Sequence, residues 1–78
     1  MKEGVLLKDL QEDEEGKIVS IEGGRGVVQR LNDMGLTPGT EIKVIKSGSF
    51  HGPIEICVRQ SYLVIGRGIA AKILVKRK

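Results

Sequence analysis

The sequence predicts a mainly β chain, a small five-stranded barrel with one short α-helix between strands 1 and 2. Three observations predict it. Short runs of β-branched residues alternate with polar ones, which is the period of a half-buried strand. Glycine makes up 11 of 78 residues, and many glycines in a short chain mean many tight turns. One stretch, 27–34, has its apolar residues on one face of a short amphipathic helix. A chain of this length is a single domain, 1–78, and buries only about 60% of its unfolded surface. A sheet that small leaves its edges open to pairing, and closing it into a barrel removes them.

Taken in order, Leu6, Leu7 and Leu10 are spaced for one short turn on the core, and the polar run 11–16 reads as a loop ending in Gly16. Residues 17–22 (Lys-Ile-Val-Ser-Ile-Glu) read as the first strand, broken by Gly23, Gly24 and Gly26. Val27, Leu31 and Met34 then recur at i, i+4 and i+7, one face of a short amphipathic helix. Gly35 stands where a left-handed residue ends a helix, and Leu36 where the chain folds back on the last turn. Pro38 and Gly39 are placed for a type II turn. Residues 41–46 and 54–59 alternate as the second and third strands, 62–65 form the fourth, 66–71 a turn or single helical turn, and 72–76 the fifth.

Composition excludes several functions. No apolar run approaches the roughly 20 residues of a membrane span, and the opening apolar segment is too short for a signal peptide, so a cytoplasmic location is expected. One cysteine cannot form an internal disulfide, which fits a reducing compartment. With one Phe, one Tyr and no Trp there is little to stack nucleobases on. The net charge of +3 conceals an asymmetry: residues 1–24 carry seven acids and three bases, residues 25–78 ten bases and three acids. The acidic run is Glu12-Asp13-Glu14-Glu15. The basic end, Lys72, Lys76, Arg77 and Lys78, is expected to be a frayed, solubilising terminus.

The string Arg30-Leu31-Asn32-Asp33-Met34-Gly35-Leu36-Thr37-Pro38-Gly39 resembles the R-L-x-x-M-G-L-x-P-G signature of FeoA-type domains. Gly52-Pro53-Ile54-Glu55-Ile56 is similar to the same family's G-P-I-x-I strand, and 70–75 to its A-x-x-I-x-V close. The three pieces stand in the family's order and span nearly the whole chain. The resemblance implies an SH3-like barrel, a role in bacterial ferrous iron uptake, and a partner in the FeoB-type membrane transporter with its cytoplasmic GTPase domain. The membrane is then met only through that partner, and the chain is expected to be a monomer or weak homo-oligomer. Similar modules end iron-dependent repressors, but with no room for a helix-turn-helix domain upstream in these 78 residues the free-standing adaptor is the form expected.

Most of the signature is architecture. Leu31 and Met34 are expected to plug the barrel end, with Leu36 beside them, while Gly35, Pro38 and Gly39 steer the chain into the second strand. The helix's other face, Gln29, Arg30 and Asp33, is a candidate partner surface. So are Phe50, the lone Phe in a glycine- and serine-rich loop, and Tyr62 beside a tight connection.

Chemistry is sparse. Gly24-Arg25-Gly26 opens like a dinucleotide fingerprint, but Gln29 stands at the third glycine and no βαβ unit surrounds it. His51 and Cys57 are weak candidates for metal ligands. A closed zinc site takes about four ligands, so neither residue completes one within a monomer. No nucleophile–base pair is evident, so no catalytic residue and no cofactor are expected. Arg25, Arg30, Arg59 and Arg67 qualify by type alone as arginine fingers for a GTPase partner. The reading is a non-enzymatic protein that acts by protein–protein interaction. Its alternatives are a small SH3-like module that binds nucleic acid through its basic segment, or one that senses a metal.

Overall fold

The computed structural model describes residues 4–48 and 52–78. The chain runs β1 (Val5–Leu6), a 3-10 turn (Leu7–Asp9), β2 (Glu15–Ile21), α1 (Arg25–Asp33), β3 (Glu41–Ser47), β4 (Ile54–Val58), β5 (Ser61–Ile65), α2 (Arg67–Ala70) and β6 (Ile73–Arg77). All strand pairs are antiparallel, in the order β1-β6-β2-β3-β4-β5. This is the mainly β architecture that the alternation implies, in the SH3-like form that the resemblance implies.

The sheet has a sixth strand, because Val5 and Leu6 pair with Val75 and Leu74 before the 3-10 turn begins. The first long strand starts at Glu15 and not after Gly16. Asp13 donates its N–H to the Val44 carbonyl at 2.7 Å, and the Val44 N–H donates to the Glu14 carbonyl at 2.9 Å, so β3 draws the acidic run into the sheet. Among the described residues the sheet does not close by hydrogen bonds, and β1 and β5 are its two ends. Register shifts at Ile18/Ser20 in β2 and Val44/Lys46 in β3 supply bends, as an extra residue on one strand does.

Inside the curl lies one core. Ile18, Val44, Ile54, Ile56, Ile73 and Val75 come from the inward phase of the strands, and Leu7, Leu31, Leu36 and Ala70 from the turns and helices. Gly16 admits the close approach of β6: a Cβ there would collide with Val75 and lie 2.9 Å from the Lys76 carbonyl oxygen. The basic end is not frayed. Arg77 Nε lies 2.9 Å from a Glu14 carboxylate oxygen, and Lys78 Nζ lies 2.8 Å from Glu41 and 3.9 Å from Glu15. The acidic run and the basic end therefore answer each other across β2, which lowers what that end offers to a phosphate backbone.

Candidate functional site

An apolar cleft of about 170 Å³ opens between α1 and the corner where β5 turns into α2. Its helical wall is Val27, Arg30, Leu31 and Met34; the opposite wall is Val64, Ile65, Gly66 and Ile69. Arg30 is the only charged residue among these eight.

Each wall is fixed by a local motif. α1 ends in a Schellman turn. Gly35 adopts φ +92°, its N–H donates to Asn32 at 2.9 Å, and the Leu36 N–H donates to the Leu31 carbonyl at 2.9 Å. The turn returns Leu36 to the core next to the end of the helix, and both Leu31 and Leu36 are buried. Thr37–Thr40 then closes a type II turn, with φ +92° at Gly39 and a 3.1 Å bond from the Thr40 N–H to the Thr37 carbonyl. On the other wall, β4 and β5 are joined by the two residues Arg59 and Gln60, at φ 50° and 67°. Two positive φ values in a two-residue hairpin make a type I′ turn, whose twist matches the strands.

α2 and the base of the 48–52 loop are held by Arg67. Its Nη2 donates to the Gly48 carbonyl at 2.9 Å, Nε to Gly52 at 3.3 Å and Nη1 to Lys8 at 3.4 Å. Arg67 thus binds three separate segments, and its guanidinium is committed inside the protein rather than presented as an arginine finger. Its neighbours gave no hint of this in the sequence, since the carbonyls it meets belong to residues 15, 19 and 59 positions away.

The candidate residues fall into separate places. Leu31 is buried at the base of the cleft. Met34 departs from the expected plug: it is 41% exposed. It occupies the helix C-cap at φ −86°, ψ 2°, where the chain is already turning away from helical geometry, so its side chain lies at the cleft mouth. Arg30 lines the cleft, and its side chain makes no hydrogen bond or ion pair among the described residues. Gln29 and Asp33 are exposed and bond to each other at 3.0 Å, outside the cleft. Tyr62 is 66% exposed on β5, two residues from Val64 at 67%. Cys57 is half-buried on β4, opposite Tyr62 on one side and Lys43 on the other. Phe50 and His51 lie outside the described residues. No group of three or more His, Cys, Asp or Glu side chains converges among the described residues.

The strand wall is what sequence reasoning missed. A signal was present: 61–65 (Ser-Tyr-Leu-Val-Ile) is apolar on both phases of its alternation and carries no charge, whereas a strand with one wet face ordinarily shows polar residues there.

Electrostatics concentrate away from the cleft. The Glu14 carboxyl is held below its ordinary value by the Gln11 backbone N–H it accepts at 2.8 Å, and further by Arg77. Glu41 is lowered by its hydrogen bond and charge contact with Lys78, and the Lys78 ammonium is raised by the same pair.

Comparison with known proteins gives a consistent picture. The model of the FeoA domain family matches residues 5–77. A curated relative named Fe(2+) transport protein A, from Methanocaldococcus jannaschii, is 41% identical over 66 residues, spanning 85% of this chain and 78% of the relative. The crystal structure of an iron uptake regulatory protein, FeoA, superposes with a TM-score of 0.89 at 38% identity, covering 95% of this chain and 97% of its own. A manganese-dependent transcriptional repressor in complex with manganese also superposes, with a TM-score of 0.90. At 15% identity over 38% of the repressor chain, that likeness shows a shared fold alone.

Proposed function

The chain belongs to the FeoA family, and from that premise we propose that it is a cytoplasmic, non-enzymatic accessory protein of ferrous iron uptake that docks on a FeoB-type membrane transporter. The observation that carries this reading is the cleft between α1 and β5. It gathers side chains that a domain of this size would gain by burying, and leaves Met34 and Val64 in water. Exposed apolar surface around a concave centre is where a protein partner gains most from desolvation.

The family signature and the cleft coincide. Arg30, Leu31 and Met34 belong to the string that resembles the FeoA signature, and all three line the cleft. On this reading these three residues serve docking, and the rest of the signature serves the Schellman turn and the turn after it. Among the described residues no helix is long and apolar enough to cross a membrane; in this reading the bilayer is met through the transporter.

Two measurements test the proposal. The full chain should be retained by the cytoplasmic part of the transporter, and retention should fall when Met34 is changed to Asp. A strain lacking the gene should take up ferrous iron more slowly or with altered regulation. Unchanged uptake in that strain would sink the reading.

A further inference from the structure

We propose that the cleft receives its partner as an added β-strand: an extended segment, apolar at alternate positions and carrying a carboxylate for Arg30, pairs with the free edge of β5. The inference rests on the docking function above and specifies its mode.

β5 is one end of the sheet. The turn at Arg59–Gln60 determines which of its main-chain groups are free. A two-residue hairpin makes its flanking residues a hydrogen-bonded pair, here Val58 and Ser61. Bonded and non-bonded pairs alternate along an antiparallel ladder. Ser61, Leu63 and Ile65 therefore bond to β4, and the N–H and C=O groups of Tyr62 and Val64 point away from it. Outside the ladder, neither residue's main chain makes a hydrogen bond among the described residues.

Such an edge is a template for another strand, and soluble proteins usually blunt it with lysine, proline, a bulge or a very short strand. The opposite edge is blunted in the last way, since β1 has two residues. β5 has five, with regular pairing, no charge and no proline. Its outward side chains, Tyr62 and Val64, are the two most exposed large apolar residues among those described.

The cleft adjoins the C-terminal end of this edge, at Val64 and Ile65. α1 forms its far wall, so a strand added to β5 would run between the strand and the helix, a known mode of extended-peptide capture. Every second side chain of the added segment would enter the apolar space beside Leu31, Met34 and Ile69. The lining residues include no acid and one cation without a salt bridge, Arg30. This charge favours a segment bearing Asp or Glu over a basic one.

The test uses the full chain, isotopically labelled, and short overlapping peptides that tile the cytoplasmic segments of a FeoB-type transporter. A peptide with alternating apolar residues and an acid should bind and slow amide exchange at Tyr62 and Val64 by about tenfold or more. N-methylating that peptide's bonding amides should weaken it about tenfold, because the lost bonds are main-chain ones. Val64→Pro removes a donor that the β4 ladder does not use and should act alike. Protection of the Leu63 amide reports whether this variant folds, and if it does not, the N-methylated peptide decides.

Binding that leaves Tyr62 and Val64 exchange unchanged, or that ignores N-methylation, overturns the proposal. So does protection of these amides by raised protein concentration alone, which would make the occupant a second copy. If the intact transporter binds while no peptide does, strand addition falls and the accessory function stands. If the transporter itself does not bind, both fall.

Discussion

The guanidinium of Arg67 donates to the carbonyl of Gly48 at 2.9 Å, and through the same side chain to Gly52 and Lys8. One cation thereby ties the mouth of the 48–52 loop to α2 and the 3-10 turn. A fork of fixed donors suits three carbonyls that face one centre. Arg67→Ala should destabilise the protein by about 1–3 kcal/mol, the range for losing hydrogen bonds made by a charged group. Arg67→Lys should recover less than half of that loss, since an ammonium at the end of a flexible stem does not span three separate segments. Urea denaturation of the two variants beside the parent measures both.

The pairing of the acidic run with the basic end predicts a pH profile. Glu14 and Glu41 both have folded-state values held below the ordinary 4.5. A carboxylate depressed in this way stabilises the folded state above its unfolded value and loses that contribution as pH falls through the folded one. The melting temperature should therefore fall on acidification below about pH 4.5, and the fall should shrink in Glu14→Gln and Glu41→Gln. Lys78 has the opposite sign. Its raised value contributes below the ordinary 10.5 and is lost as pH rises beyond it. These pairs are exposed, so added salt should weaken them. Thermal melts across pH at two salt concentrations check each statement.

Arg59 and Gln60 hold φ values of 50° and 67° without being glycine. The left-handed region costs a residue with a Cβ roughly 1–2 kcal/mol, part of which glycine's greater unfolded freedom offsets. Gln60→Gly should raise stability by about 0.5–1 kcal/mol. Since the turn sets the β5 register, the edge at Tyr62 and Val64 should be preserved. Chemical denaturation gives the first result and amide exchange along β5 the second.

These examples separate what local patterning encodes from what it does not. Gly35 and Leu36 were legible because a Schellman turn is written in consecutive residues, and its 2.9 Å bond from Leu36 to Leu31 followed. The strands were legible from alternation, although β1 is too short to alternate and was invisible. Met34 was misplaced because helical spacing says which residues share a face, not where the helix stops: the C-cap carries it out of the core. Arg67 and the strand wall of the cleft depend on segments brought together only by folding. Arg30 could be named as a candidate from its place on the helix, but its position across from Ile69 could not.

Leu31 and Met34 line the same cleft, yet one is 4% and the other 41% exposed, and the difference separates folding from docking. Leu31→Ala removes buried methyl groups beneath the helix and should cost about 2–5 kcal/mol, a large part of what so small a domain possesses. Met34→Ala should cost under about 1 kcal/mol, because much of its side chain is already in water. Met34→Asp should likewise leave the fold intact while placing a charge at the mouth of an apolar cleft, and partner retention should drop about tenfold or more. Denaturation midpoints and binding isotherms on the same three proteins decide the matter. If Met34→Asp binds the transporter as the parent does, the docking surface lies elsewhere; if it unfolds as readily as Leu31→Ala, then Met34 belongs to the core after all.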